Sequence, residues 1–509
     1  MQSKVVRQCG TIEHWSTSRH AIGIYTAIAN CCRYVVSDSH LSYDSAQSLV
    51  EVALARMIVR MAGLRVGITK EHTNQASFVS VPSMDLRDFI EWETVKEGSQ
   101  AQFDARVLDV TKTRLEQLWQ DVATRPPWRL LVVQNCTKDW GQLRLDMVFV
   151  THHALSDGKS TMVFHTELLR ELNYCPTDSG SGPPAELKNH VLSFDRAPVL
   201  APPQQELVKF RIGWVFFLKT LWQEFAPSWL KPTPPVEPWT GKAITLEPHK
   251  LNLRLIPIDK EVVPKLVTAC RSHGATFTAI IHVLVLISVA KRVPAQAAAA
   301  FSSDTPISLI PWAELPPGSE IEDITRVLSV LTTSSSKVWD AETVADLRRR
   351  LSEQDQGLEE GLMWPLAATW RVEMKKKLAS LPNDDVCGLM DYVTDWQKWW
   401  EGKIGKRRGA TWEVSNIGLI SPESAGHSSL AVWDIRRSFF TQPAFLAGPG
   451  FAINVTGVER GEATMTLNWQ GGVIEDAMID GVVEDLTRWL ETFQVNGSFG
   501  IVENKKSVS

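Results

Sequence analysis

The feature that most constrains this chain is an apolar strand that leads directly into two histidines and, after a short turn, into a helix. Residues 143–150 alternate between apolar and charged side chains at their start and are fully apolar near their end, which is typical of a strand that enters a core. Thr151, His152 and His153 follow at once, and apolar residues recur at helical spacing over 162–172. The pattern predicts that the histidines lie in a turn held rigid by a strand and a helix, where functional groups are often built.

His153 is the candidate catalytic residue of this turn. An imidazole has an ordinary pKa near neutrality, which suits a base that takes a proton from a hydroxyl and later returns it. Asp157 is placed to lock the turn by accepting backbone N–H groups or pairing with a cation, and Gly158 permits a close approach that a Cβ would block. The motif favours acyl transfer with a histidine as general base.

Other interpretations of the same residues remain open at this point. Adjacent histidines also occur as packed core or surface groups. His152 and His153 would point to opposite faces of an extended strand, so they are poorly placed to share one zinc ion, and we expect no metal. A zinc hydrolase, which would hold stoichiometric metal, is the alternative. A nucleophilic role for Ser156 lacks the G-x-S-x-G elbow.

The rest of the chain predicts two α/β lobes of similar size. Residues 11–65 are predicted to form helices with short apolar breaks, 107–122 a helix, 128–133 a strand and 138–141 a turn. Gly-, Ser- and Pro-rich stretches predict a connection over about 177–247 with one helix near 204–224. In the second half we predict strands at 251–256, 411–415, 452–458 and 463–469, and helices at 261–272, 276–290 and 474–493. The predicted domains are residues 1–200, a connecting segment at 201–247, and residues 248–509.

Charge and cysteine content indicate the setting of the protein. The formal net charge of -5 gives no basic surface for nucleic acid. Seven cysteines without C-x-x-C spacing indicate neither a disulfide framework nor a zinc ribbon. The first residues lack the apolar region of a secretory signal, so we expect a cytoplasmic protein.

Two apolar segments bear on membrane contact. No run of about 18 apolar residues occurs, so no transmembrane helix is expected. Residues 279–290 are predicted to form a buried core helix. Residues 214–218 lie among Lys209, Arg211 and Lys219, and either touch a membrane surface loosely or form an amphipathic core or inter-lobe helix, which base rates favour.

The run His152-His153-x-x-x-Asp157-Gly158 resembles the H-H-x-x-x-D-G signature of the chloramphenicol-acetyltransferase-like superfamily, which includes the condensation domains of peptide synthetases. Residues 13–34, 127–130, 269–279 and 415–418 are similar to segments of its fungal alcohol acetyltransferase branch. The D-F-G-W-G motif of the plant-type branch is absent, and Ile310 stands where the family often carries an arginine. The resemblance is ordered and spans nearly the whole chain.

The resemblance implies a fold and an activity. The fold is α/β, with two similar lobes, each a mixed sheet flanked by helices, and a channel between them. The activity is transfer of an acyl group, by default acetyl from acetyl-CoA, to a hydroxyl, with no permanently bound cofactor. His153 is the implied base, Asp157 and Gly158 are implied structural supports, and His152 is an implied packing residue. The 20 tryptophans suit a bulky hydrophobic alcohol such as a secondary metabolite, and a monomer is the expected state.

Further site residues are candidates, three by analogy with this family and four because they are cations just before the predicted strand at 411–415. Ser415 and Asn416 are candidate donors to the oxyanion of the tetrahedral intermediate, although a strand-end turn explains them equally well. Gln442 is a candidate channel residue. The candidate ligands of the CoA phosphates are Lys403, Lys406, Arg407 and Arg408, for which a solvated basic face is the alternative.

Two rival functions use the same fold. A condensation-type enzyme would take its acyl group from a carrier protein, and a non-acylating or cyclising relative would keep the fold as a binding shell. The intact His153 argues against the binding shell.

Overall fold

The computed structural model describes residues 4–36, 41–96, 98–135, 143–174, 183–226, 236–422 and 433–502. Its strands are β1 (Val5–Gln8), β2 (Ile28–Val36), β3 (Val66–Thr69), β4 (Ser77–Ser80), β5 (Ser83–Asp85), β6 (Ile90–Val95), β7 (Trp128–Asn135), β8 (Arg144–Thr151), β9 (Leu187–Lys188), β10 (Val191–Ser193), β11 (Leu251–Ile258), β12 (Phe301–Ser308), β13 (Thr332–Trp339), β14 (Trp412–Ile420), β15 (Trp433–Thr441), β16 (Phe451–Val458) and β17 (Ala463–Gln470). Its α-helices are α1 (Thr11–Ala21), α2 (Tyr43–Arg60), α3 (Gln100–Leu115), α4 (Gly158–Leu172), α5 (Gln204–Leu207), α6 (Trp214–Phe225), α7 (Val262–Ser272), α8 (Phe277–Arg292), α9 (Ala341–Ser352), α10 (Trp364–Ser380), α11 (Trp396–Glu401) and α12 (Asp476–Asn496).

The first large sheet places the histidine turn at the end of its middle strand. Its strand order is β15-β2-β8-β7-β6, and β8 pairs antiparallel with both neighbours. Thr151, the last residue of β8, aligns with Ile28 on one side and Trp128 on the other. Hydrogen bonding on both sides therefore holds the strand from which His152 and His153 emerge.

One strand of this sheet comes from the other half of the sequence. β15 pairs antiparallel with β2, with Ser438 opposite Cys32. The second large sheet, of order β11-β17-β16-β14-β12-β13, holds the remaining long strands of the second half. No single point in the chain separates the strands of one sheet from those of the other, because the second half of the sequence forms the second sheet and also adds β15 to the first. The α/β class with two sheet-bearing lobes, predicted from the sequence, is confirmed.

Helix α8 is the core helix that the sequence predicts. Its residues from 279 to 290 are all buried. The two polar side chains in this stretch have partners: His282 contacts Thr305 and accepts a hydrogen bond from Trp412, and Ser288 donates to Asp485. A helix that is apolar on every side is stable only inside a core, and its few polar groups must be hydrogen-bonded there.

Most predicted elements agree with the structure to within a few residues, and the exceptions have local causes. The helix predicted at 107–122 is α3, which begins earlier because Ser99 and Gln102 form a capping box. The helix predicted near 204–224 is two helices, α5 and α6. One apolar break predicted within 11–65 is β2, an inner strand of the first sheet. The turn predicted at 138–141 and parts of the predicted connection lie outside the described residues.

Within the described ranges, no single helix is both long and apolar enough to span a bilayer; a pair of helices, α7 and α8, passes such a test only together and is bent by 92°.

Candidate active site

His153 lies in the turn between β8 and α4 and faces a cavity. Its Nδ1 lies 3.1 Å from the carbonyl oxygen of Ser156, so this nitrogen carries the proton and donates it to the turn. Nε2, on the opposite edge of the ring, is then the nitrogen with a free lone pair. Burial, with the nearby charge of Arg19 as a second cause, lowers the pKa of His153 to about 3. The imidazole is therefore a neutral proton acceptor at ordinary pH.

Asp157 holds the turn rather than the substrate. One carboxylate oxygen accepts the backbone N–H of Ser160 at 2.8 Å and so caps α4. The other accepts the backbone N–H of Leu331 at 3.0 Å, and the Asp157 N–H donates to the carbonyl of Ser329. Burial raises the pKa of this carboxyl, and the N–H groups that donate to it oppose the rise. The side chain thus ties the histidine turn to a segment of the second half of the chain.

Gly158 allows α4 to approach strand β14 closely. A Cβ at this position would lie 2.6 Å from Cγ2 of Ile417 and 3.3 Å from the Phe440 ring. No real side chain tolerates the first distance without movement. The glycine is therefore required by packing between the two halves.

His152 is buried and belongs to a closed hydrogen-bonded group with His20 and Glu71. One oxygen of Glu71 lies 2.8 Å from Nδ1 of His20 and 3.2 Å from Nε2 of His152. The remaining ring nitrogens accept backbone N–H groups, of Trp119 for His20 and of Ala154 for His152. Each ring therefore carries its proton on the side of Glu71, and these hydrogen bonds hold the pKa of that carboxyl down to about 2 although burial opposes them.

These three side chains have the identity and spacing of a metal site, since their ligand atoms lie within 4.8 Å of one another. A metal bound there would displace both ring protons. A neutral imidazole would then carry its proton on the other nitrogen, facing a backbone N–H donor of Trp119 or Ala154. The tautomers that the backbone N–H groups select therefore favour two N–H groups donated to Glu71 over a bound metal ion.

The cavity in front of His153 has a volume of about 520 Å³ and a largely aromatic wall. Its polar side chains include Arg19, Tyr25, Asp304, Glu413 and Gln442. Its large aromatic side chains are Trp15, Tyr392, Trp396, Trp399, Trp400 and Phe445. A cavity of this size and lining suits a mostly apolar small molecule held in orientation by a few polar groups.

Gln442 lies on the cavity wall, where both N–H groups of its amide have acceptors. Its oxygen accepts the Tyr25 hydroxyl at 2.7 Å, and its nitrogen donates to Glu413 at 2.9 Å and to Asn454 at 2.8 Å. Burial raises the pKa of Glu413 to about 7, and the neighbouring Asp304 adds to the rise. Asp304 and Glu413 are register partners on β12 and β14.

Ser415 and Asn416, the candidate oxyanion donors, are not among the residues that line this cavity. Asn416 donates to the hydroxyl of Thr278 and accepts the backbone N–H of Gly418, next to an irregularity in the pairing of β14. Ser415 is buried farther along the strand, opposite Asn454. The side chain of β14 that reaches the cavity is Glu413, two residues earlier.

The four predicted CoA ligands separate into two groups. Arg408 is buried and donates to the carbonyl oxygens of Lys242, Phe445 and Pro449 and to the side chain of Gln470. It is a structural residue, and the prediction is wrong for it. Lys406 and Arg407 are exposed, Arg407 lies 3.3 Å from Glu237, and Lys403 lies over the ring of Trp399, which lines the cavity.

Helix α6 has one face on the cavity side and one in solvent. Thr220 and Leu221 line the cavity. Trp214 and Val215 are 80% and 82% exposed, and Leu218 is 61% exposed. The helix is therefore amphipathic, as the preferred interpretation of the sequence expects. Its outer face leaves apolar side chains in solvent, where the ring of Trp214 meets that of Phe217 edge-on, with centroids 6.0 Å apart.

Arg19, Tyr25, Asp304 and Glu413 are site residues that the sequence reasoning did not single out. A local signal existed for two of them. Trp15 and Arg19 are four residues apart on one helix, the spacing at which side chains meet. Glu413 is a carboxyl inside a predicted apolar strand, where ionisable groups rarely occur without a reason.

Three comparisons place the chain among known proteins. The family model "Alcohol acetyltransferase" matches residues 23–331, more than half of the chain. A "Probable alcohol acetyltransferase FCK4" of Fusarium pseudograminearum is 28% identical over 98% of this chain and 97% of its own. The structure resembles TRI3 trichothecene 15-O-acetyltransferase from Fusarium sporotrichioides (TM-score 0.67, 12% identity, 95% and 94% coverage) and the condensation domain of the polyketide synthase MokA (TM-score 0.52, 11% identity, 98% of each chain).

Proposed function

This chain belongs to the alcohol acetyltransferase family, and we propose that it moves an acetyl group from acetyl-CoA to a hydroxyl group of a hydrophobic small molecule, with His153 as general base. The observation that carries the proposal is the tautomer of His153. Because Ser156 accepts the Nδ1 proton, the lone pair on Nε2 is available to a hydroxyl in the cavity. General base assistance of this kind is worth about 10²–10⁴-fold in rate.

The transfer proceeds without an acyl-enzyme. The acceptor oxygen attacks the thioester carbonyl carbon while Nε2 of His153 takes the hydroxyl proton. The tetrahedral intermediate then re-forms its carbonyl and breaks the C–S bond, and His153 returns the proton to the CoA sulfur. Asp157 and Gly158 support this step only by fixing the turn.

The substrates are proposed from the lining and the rim of the cavity. Its aromatic wall supports a bulky hydrophobic alcohol, such as a secondary metabolite, as acceptor. Lys403, Lys406 and Arg407 remain the proposed contacts of the CoA phosphates, with Lys403 at the rim through its contact with Trp399. We propose a monomer in the cytoplasm that uses acetyl-CoA as a co-substrate and no resident cofactor.

We further propose that α6 rests on the surface of an intracellular membrane. Tryptophan and aliphatic side chains beside cations are the pattern of a helix that lies in a lipid interface, and the exposed Arg211 and Lys219 supply charges for anionic headgroups. Trp214 and Val215 supply the apolar contact. Since Thr220 and Leu221 on the opposite side line the cavity, a lipophilic acceptor would have a short route to His153.

The test of the reaction is release of the CoA thiol from acetyl-CoA with a panel of hydrophobic alcohols. We expect alcohol-dependent release by the wild type and its loss in His153→Ala. His273→Ala is the matched control, because it removes an imidazole stacked on Trp364 outside the cavity and should keep the activity. Release that survives in His153→Ala would refute the role of His153. If the protein neither binds nor turns over acetyl-CoA but accepts an acyl group from a carrier protein, the acyl donor is the carrier protein and not CoA.

A further inference from the structure

Arg19 is a buried cation that, in the described part of the chain, is held by aromatic rings and forms no ion pair within 4 Å. Its guanidinium carbon lies 3.4 Å from the ring centroid of Trp15 and 4.1 Å from that of Tyr25, so two aromatic faces hold it. The side chain is 5% exposed, and its Nε and Nη2 atoms are buried without a hydrogen-bond partner in the described structure. Burying such a group without a partner is costly, which calls for an anionic or strongly polar ligand that arrives later.

The charge on Arg19 persists under working conditions. Burial lowers the pKa of Arg19 to about 10, so the side chain stays protonated near neutral pH. Glu413 is the carboxyl whose charge acts on it most directly, and burial raises the pKa of that carboxyl to about 7. At neutral pH only about half of this carboxyl is therefore ionised, and it leaves the positive charge of Arg19 incompletely balanced.

Arg19 and His153 both contact the ring of Tyr25. The centroids of Tyr25 and His153 are 5.5 Å apart, and all three side chains line the cavity. A fixed cation beside a general base opposes proton uptake by that base; burial is the main cause of the lowered pKa of His153, and the charge of Arg19 lowers it further. During the reaction His153 becomes a positively charged imidazolium, which Arg19 repels. Arg19 therefore assists the reaction only if a negative charge forms closer to it than this positive charge.

The acyl transfer creates such a charge. When the acceptor oxygen bonds to the thioester carbonyl carbon, the carbonyl electron pair moves to the oxygen and forms an oxyanion. The donors expected from the sequence, Ser415 and Asn416, do not line the cavity, and the amide of Gln442 is already committed to Tyr25, Glu413 and Asn454. A cation held by rings, with free N–H groups, needs no rearrangement to meet that charge.

We propose that the guanidinium of Arg19 is a catalytic group that stabilises the oxyanion of the tetrahedral intermediate. This role rests on the proposed function. The proton passes from the acceptor hydroxyl to Nε2 of His153 while the oxyanion forms against Arg19. The charge disappears when the carbonyl re-forms, the C–S bond breaks and the thiolate takes the proton. Arg19 itself gains and loses nothing.

The test compares Arg19→Gln and Arg19→Lys with the wild type in kcat, KM and direct binding of acetyl-CoA. We expect kcat to fall by about 10²–10³-fold in Arg19→Gln, the usual effect of losing one oxyanion donor, with the dissociation constant of acetyl-CoA unchanged. Arg19→Lys keeps the charge and should recover part of kcat. Arg65→Gln is the matched control, because Arg65 also lies on an aromatic ring, that of Phe194, with a buried unpartnered Nε, but does not line the cavity.

The outcomes separate the proposals. A loss of acetyl-CoA binding without a loss of kcat, or a kcat within about twofold of the wild type, would overturn the catalytic role of Arg19 and leave His153 as base intact. A loss equal to that of Arg65→Gln, with a lowered melting temperature in both, would also overturn it. A wild type that releases no CoA with any acceptor would overturn both proposals.

Discussion

His153 donates its Nδ1 proton to the backbone carbonyl oxygen of Ser156 in the same turn, at 3.1 Å. The base is therefore oriented by the backbone of its own motif rather than by a carboxylate. Asp157, the acidic residue of the motif, instead accepts two backbone N–H groups and shapes that backbone. Asp157 therefore fixes the turn, with help from the backbone of Ser329 and Leu331, and the turn fixes the tautomer of the base.

The low pKa of His153 predicts that kcat/KM does not fall as the pH is lowered from neutral to about 5. Burial and the charge of Arg19 lower that pKa to about 3, so protonation of the base begins well below neutral pH. We expect kcat/KM to show no acid limb from His153 between about pH 8 and about pH 5, in contrast to a histidine with the ordinary pKa of about 6.5. Glu413→Gln is the control, because the pKa of Glu413 is raised to about 7. A limb near pH 6.5 that persists in this variant would contradict the prediction.

Asp157→Asn should lower both stability and activity. The carboxylate accepts the N–H groups of Ser160 and Leu331 with its two oxygens, whereas an amide would set an NH₂ against one of them. An unsatisfied buried group costs about 1–3 kcal/mol in the free energy of unfolding, measured by urea titration. Asp340→Asn is the matched variant, since Asp340 also caps a helix, α9, by accepting the backbone N–H of Thr343, but lies outside the histidine turn. It should leave kcat unchanged, and an equal loss of kcat there would contradict the prediction.

The local parts of this site were predictable, and the parts that depend on distant pairing were not. The β8–turn–α4 unit follows from a strand period that changes to a helix period within one stretch of sequence. The inner strand β2 has no alternation of apolar and polar residues, because both of its faces are buried, so its sequence predicts only a break between helices. The strand exchange by β15 has no local signal, since its partner β2 lies some 400 residues earlier.

The functional residues divide in the same way. The family resemblance pointed to Gln442 as a channel residue, and the structure places it on the cavity wall. It also pointed to Asn416, and the position of a basic cluster before the late strand pointed to Arg408. In the structure the side chain of β14 that lines the cavity is Glu413, and Arg408 is buried in the core. Which face of a strand meets the cavity depends on register, and a sequence motif does not specify it.

Gly158→Ala should move α4 away from β14 and reduce activity. Its Cβ would lie 2.6 Å from Cγ2 of Ile417, and overpacking of this kind typically costs about 1–3 kcal/mol in the free energy of unfolding. Gly409→Ala, whose Cβ would meet no atom within 4 Å, should be neutral. In a double-mutant cycle, Ile417→Ala should cost less in the Gly158→Ala background than in the wild type. Additive losses would show that this contact is not the cause.

The exposed face of α6 should bind lipid. We expect the wild type to co-sediment with vesicles that contain an anionic phospholipid. Binding should weaken as salt is raised, because the attraction of the exposed Arg211 and Lys219 to anionic headgroups is screened. In Trp214→Ser/Val215→Ser the partition coefficient should fall about tenfold or more, since about 1.4 kcal/mol of lost apolar burial corresponds to tenfold. Val495→Ser is the matched control, because Val495 is 82% exposed, as is Val215, but lies on α12. The double variant should keep its rate with a small water-soluble alcohol, since neither residue lines the cavity. A wild type that ignores vesicles, or that forms a dimer which the double variant disperses, would assign this face to another partner and refute the lipid contact.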